Sequence, residues 1–138
     1  MERSDFKVWT TVAVRWGDMD ALGHVNNSVY FTYLESARIS LFEILGSAGF
    51  WSQEGSGPTL ASVGCNFRKQ VVYPNELDIG TKVVHIGNRS FHLEHGFFLH
   101  GTDTFVADGK SVVVWVDYSQ KRGTELTLGM REALGEFM

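Results

Sequence analysis

Cysteine is nearly missing from this chain: Cys65 is the single one among 138 residues. That excludes an intrachain disulfide and any cysteine-rich metal centre, and it leaves Cys65 as a small core residue of a reducing compartment. Proline is almost as scarce, with two residues, which argues against a proline-rich disordered character. Positive charge is also in short supply: 12 Lys and Arg against 16 Asp and Glu give a net charge of −4 and a pI of about 5.7. A protein that tracks a nucleic-acid backbone carries a basic stripe, so no nucleic-acid partner is expected, although a few local arginines can still hold one anionic ligand. No apolar run approaches the ~18–20 residues of a membrane span, and no basic-then-apolar leader opens the sequence. The expectation is a cytoplasmic protein without a membrane partner.

What remains is the make-up of one soluble domain, residues 1–138, with 43% apolar and 20% charged residues. A chain of this size buries roughly two-thirds of its unfolded surface and folds without staples. Residues 7–16, "KVWTTVAVRW", alternate and are rich in Val, Thr and Trp, which reads as a strand. From Ser28 to Leu45 the period changes. Tyr30, Tyr33, Leu34, Ala37, Leu41, Ile44 and Leu45 recur at spacings of three and four, the face of a helix that Gly46 would stop. Val29, Phe31, Ile39 and Phe42 widen that apolar arc, as if a sheet wrapped around the helix. Residues 47–58 are small, polar and glycine-rich, a loop with the character of a lid. Four strands follow at 59–73, 76–87, 90–101 and 104–118, with turn chemistry between them. The "ADGK" at 107–110 offers a hairpin turn inside the last run. Residues 125–138 form a short amphipathic helix. No repeat or linker interrupts this α+β order.

The chemistry collects between the first strand and the helix, in "WGDMDALGHVNNSVY", residues 16–30. Asp18 and Asp20 can both be turn formers. An asparagine at a helix start is an N-cap. The first helical amides lack intrahelical partners, and that end of the helix favours an anion by roughly 0.3–1 kcal/mol. His92, His95 and His100 do not make a metal site. In an extended strand His92 and His100 share a face but stand roughly 26 Å apart, and His95 points to the other, inner face. No P-loop or dinucleotide fingerprint is present.

The stretch "VRWGDMDALGHVNNSVYFTYLESAR", residues 14–38, closely resembles the hot-dog-fold acyl-CoA thioesterases of the 4-hydroxybenzoyl-CoA thioesterase type. "NFRKQVVYPNELDIGTKV", "IGNRSFHLEHGFF" and "ADGKSVVVWVDYSQKR" follow in the family's order, more loosely. The resemblance implies a hot-dog fold, an antiparallel sheet of five or six strands around one long central helix, and a homodimer at least, with a homotetramer expected. It implies hydrolysis of a fatty or aromatic acyl-CoA, with no cofactor and no metal. By position, Asp20 is the nucleophile or general base, and the backbone N–H of Asn27 polarises the thioester carbonyl. Gly23 lets the backbone approach the substrate, while His24, Asn26 and Tyr30 line the site. Asp18 keeps the turn role. Glu35, the carboxylate another branch of the fold would use, is explained by an exposed ion pair with Arg38. Arg89 and Ser90 are the expected contacts for a coenzyme A phosphate, with Arg68, Lys69, Lys121 and Arg122 as further cations. A hot-dog dehydratase or hydratase, and a non-catalytic acyl-CoA-binding protein, are the competing readings. The aromatic content of 13% fits an aryl pocket and an ordinary core equally well.

Overall fold

The computed structural model describes residues 1–47 and 55–138. In chain order the elements are β1 (Val8–Ala13), α1 (Val29–Ser47), β2 (Ser56–Phe67), β3 (Glu76–Ile86), β4 (Ser90–Leu99), β5 (Phe105–Asp117), β6 (Arg122–Gly123) and α2 (Leu128–Gly135). The strands form one antiparallel sheet in the order β1-β3-β4-β5-β2, and β6 pairs with Val116 and Asp117 of β5. The sheet packs around α1, which is the hot-dog architecture expected from the sequence.

α1 has 19 residues and is about 28 Å long at 1.5 Å per residue. It runs through Gly46 instead of stopping there. Tyr30, Tyr33, Leu34, Ala37, Leu41 and Leu45 are buried as the periodicity predicts, but Ile44 is 43% exposed. The buried face leans the other way, through Arg38, which lies four residues after Leu34 and three before Leu41. Two apolar clusters result. One joins Tyr30, Leu34, Ala37, Ile79, Phe97 and Ala107; the other joins Leu41, Leu45, Val83, Leu93, Val113 and Trp115 with Met130 and Leu134 of α2. Thr127 caps α2 by accepting a hydrogen bond from the Met130 N–H at 3.2 Å.

A buried polar layer made of Thr81, His95, Ser111 and Arg38 separates the two clusters. Successive inward residues of β3, β4 and β5 place Thr81, His95 and Ser111 side by side. His95 Nδ1 is 3.0 Å from Thr81 Oγ1, His95 Nε2 is 3.1 Å from Ser111 Oγ, and Arg38 Nη1 donates to Ser111 Oγ at 3.3 Å. Burial, with help from the Arg38 charge, pushes the His95 imidazole down to about 3. His95 therefore stays neutral in the fold while an unfolded chain protonates it below about 6.5, so its contribution to stability is lost as pH falls through that window. One withheld proton costs up to about 1.4 kcal/mol per pH unit there. His100, held up by its hydrogen bond to Asp78, works in the opposite sense: its contribution is present at low pH and lost as pH rises. Net stability thus mixes the two, and ring NMR separates them. The His95 signals are expected to remain those of neutral imidazole down to pH 4.5; titration near 6.5 would contradict the buried layer.

Several expected boundaries move. The strand placed at 59–73 ends at Phe67, because the N–H groups of Arg68 and Lys69 both turn onto the Val106 carbonyl, at 2.9 and 3.0 Å. Its start moves back to Ser56, so Ser56, Gly57 and Pro58 are strand, not lid. Residues 48–54 of that proposed lid lie outside the described residues. Pro58 is accommodated because β2 is an edge strand. The "ADGK" segment is not a turn. Asp108 and Gly109 sit in mid-strand opposite Asn66 and Cys65. Asp108 is buried and accepts hydrogen bonds from Asn66 Nδ2 and Arg68 Nε. A Cβ on Gly109 would lie 2.8 Å from Leu34 Cδ2, so the glycine makes room for the helix side chain that packs on it.

Candidate functional site

The loop from β1 to α1 is built on Asp18. Its carboxylate is 2% exposed and accepts from Arg15 N at 2.9 Å, Arg15 Nε at 3.1 Å, Arg15 Nη2 at 2.9 Å and the Tyr33 hydroxyl at 2.7 Å. Burial alone would raise its pKa, but the Arg15 and Tyr33 hydrogen bonds outweigh burial and hold it below the ordinary value. The Asp18 carbonyl also accepts the Asn26 N–H at 3.0 Å, which fixes the helix start. Asp18 thus does the structural work of the turn.

Asp20 has a different setting. Its N–H donates to the His24 carbonyl at 3.0 Å, its carbonyl accepts the Gly23 N–H at 3.1 Å, and its Oδ1 accepts the Leu22 N–H at 2.9 Å. No side chain is hydrogen-bonded to this carboxylate among the described residues, and it makes no such bond to the His24 ring. Gly23 closes the turn at φ +89°, a conformation that favours glycine. Met19 and Val25 then bridge, and the Val25 N–H donates to the Val71 carbonyl at 2.8 Å.

The helix start follows from Asn26. Its Oδ1 accepts from the N–H and the hydroxyl of Ser28, both at 3.0 Å, as an N-cap. The Val29 and Tyr30 N–H groups close onto the carbonyls of Asn26 and Asn27. The Asn27 N–H is left without a partner among the described residues. Asn27 lines a cavity of about 360 Å³ whose walls also include His24, Tyr30, Phe67, Lys69 and Gln70. Burial pushes the Tyr30 phenol up to about 12, helped by Cys65, so it is protonated at neutral pH.

Of the expected site residues His24, Asn27 and Tyr30 share the cavity wall, Asn26 caps the helix start, and Asp20 and Gly23 belong to the same loop but are not among the residues lining the cavity. Arg89 and Ser90 are elsewhere. Tyr30 packs against Phe97 with centroids 5.6 Å apart, and Ser90 lies seven residues before Phe97, roughly 23 Å along β4. Arg89 instead lines a second cavity, of about 570 Å³, with Asp117, Gln120, Arg122 and Gly123. Glu35 is exposed, but its expected surface ion pair with Arg38 is not formed, since Arg38 turns inward to Ser111. His92 packs on His85 and His100 bonds Asp78, so the three histidines stay apart, with His95 inside. The Tyr33 bond to Asp18 and the Arg38 layer were missed from sequence. The signal for Arg38 was its phase, in line with Leu34, Leu41 and Leu45.

Among the described residues no helix is long and apolar enough to cross a membrane. Residues 14–134 match the family model described as thioesterase-like superfamily. The long-chain acyl-CoA thioesterase FadM of Escherichia coli is 25% identical over 94% of this chain and 98% of its own length. A putative thioesterase from Pseudomonas aeruginosa superposes with a TM-score of 0.81 at 33% identity, over 91% of this chain and 96% of that one. A Thermus thermophilus thioesterase, solved with coenzyme A and Zn, superposes with a TM-score of 0.80 at 31% identity, over 94% and 98% of the two chains. This chain belongs to the thioesterase-like superfamily and is a thioester hydrolase of the hot-dog fold.

Proposed function

We propose that the chain hydrolyses fatty or aromatic acyl-CoA thioesters at the β1–α1 loop. The observation that carries this is that Asn27, whose N–H has no partner among the described residues, lines the cavity on the same loop as the Asp20 carboxylate, which no side chain engages among the described residues. The amide donates to the thioester oxygen as negative charge develops there. Asp20 either takes a proton from the water that attacks the carbonyl carbon or attacks it directly. In the second route water then cleaves the acyl-aspartyl anhydride. Either way the C–S bond breaks and coenzyme A leaves as the thiolate.

We also propose that each site uses two subunits. β2 is a 12-residue edge strand with Leu60 and Phe67 about 40% exposed, beside exposed Phe31 and Ile39 of α1. Such an edge calls for a partner. A two-fold, antiparallel β2–β2 pairing sets the Phe67 end of one strand against the Ser56 end of the other. The Ser56 end is the Arg89 end, so pairing carries the partner subunit's Arg89 and the partner subunit's Ser90 toward this loop. Sedimentation at micromolar concentration is expected to give a dimer or larger; a stable monomer contradicts the shared site.

Steady-state hydrolysis of acyl-CoA by the wild type and Arg89→Ala tests the reading. KM is expected to rise about tenfold with kcat much less changed, since a phosphate contact is made equally in the ground and transition states. An unchanged KM returns Arg89 to an ordinary surface charge, and absent wild-type hydrolysis overturns the function.

A further inference from the structure

Two tyrosines lie side by side at the start of α1 and are treated differently by their surroundings. Tyr33 spends its hydroxyl on Asp18 at 2.7 Å. Tyr30, 2% exposed, has no hydrogen-bond partner for its hydroxyl among the described residues. Buried tyrosines nearly always find one. Its hydroxyl is not sealed in, either: among the described residues the one buried side-chain N or O atom without a partner is Thr10 Oγ1. The little surface Tyr30 keeps therefore includes the hydroxyl, and Tyr30 lines the cavity next to Asn27. The ring is fixed from three sides, by Tyr33, Phe67 and Phe97, with centroids 5.9, 5.1 and 5.6 Å away. A helical side chain leans toward the N-terminus, which aims the phenol back over the turn that carries Asn27.

This arrangement deepens, and rests on, the acyl-CoA reading of the site. Asn27 is exposed at the rim, whereas Tyr30 is buried beneath it, so the acyl group passes Tyr30 just beyond the carbonyl. We infer that Tyr30 reads an oxygen on the acyl group, and that the cavity selects acyl-CoAs with a hydroxyl or oxo substituent close to the thioester carbonyl over plain saturated chains. The phenol is a protonated donor and can also accept, so it serves either substituent. A saturated chain leaves it unpaired in a drained cavity, and a site built to bond a substrate oxygen discriminates against the analogue that lacks it.

The test compares kcat/KM for hexanoyl-CoA, 3-hydroxyhexanoyl-CoA and 3-oxohexanoyl-CoA in the wild type and in Tyr30→Phe, with thermal unfolding of both. The wild type is expected to favour an oxygenated substrate about tenfold or more, and Tyr30→Phe to bring that ratio close to one while still unfolding cooperatively. A packing role does not move the ratio. Equal wild-type values for all three substrates, or a preference that survives Tyr30→Phe, overturns the inference and leaves the hydrolase reading standing. Failure of the wild type to hydrolyse any of the three overturns the inference, whereas the hydrolase reading falls only if a wider panel of fatty and aromatic acyl-CoAs is also left intact.

Discussion

Asp20→Asn is expected to lower turnover by about 10²–10⁴ while the protein stays folded. The carboxylate accepts one hydrogen bond, from the Leu22 N–H, and an asparagine oxygen keeps it. What the substitution removes is the charge and the basicity. Asp18→Asn is expected to do the reverse. Asp18 is buried under four hydrogen bonds, three from Arg15 and one from the Tyr33 hydroxyl, and an amide nitrogen would face donors where an oxygen now accepts. The cost there is on the order of 1–3 kcal/mol of stability with a modest kinetic loss. Glu35→Gln serves as the control for the helix carboxylate. Near-normal hydrolysis in Asp20→Asn, with collapse in Glu35→Gln, would show that the helix carries the chemistry.

Asn27→Pro is expected to cost about 10²–10³ in kcat by deleting a single N–H. The substitution suits the backbone. Residues 27 and 28 are the turn that leads from the capping Asn26 into α1, and the Asn27 N–H has no hydrogen bond to give up among the described residues, so a proline is tolerated there. The residue before a proline is confined to extended conformations, which is the usual N-cap geometry. Asn27→Ala keeps the amide and is expected to lose far less. Circular dichroism of both variants checks that α1 is intact. Equal losses in the two would assign the effect to the Asn27 side chain and remove the amide from the mechanism.

The difference between these two residues and the rest of the chain explains what could be read in advance. The loop was legible because its chemistry is local: Asp20 to Leu22, Asn26 to Ser28 and Asp18 to Arg15 are contacts within three residues. The succession of elements along the chain, the helix and its wrapping sheet followed from period and family likeness; the pairing order of the strands and the short β6 did not. The misreadings around the site involve partners far away in sequence. "ADGK" has the composition of a turn, yet Asp108 is held in mid-strand by Asn66 and Arg68, 42 and 40 residues off, and Gly109 by the approach of Leu34. Arg38 looked like half of a surface pair with Glu35; its acceptor is Ser111, 73 residues on. Arg89 lies in the bend before β4 and Ser90 is the first residue of that strand, but nothing local reveals that they stand at the end of the sheet away from the β1–α1 loop.

The most direct test of the central claim is free-thiol release from a panel of acyl-CoAs by the wild-type protein, run beside equilibrium binding of the same compounds. The account predicts release over many turnovers, at least one substrate being cleaved with saturation kinetics. Saturable binding of acyl-CoA with no thiol released would contradict it, and would make the loop around Asp20 a binding site alone.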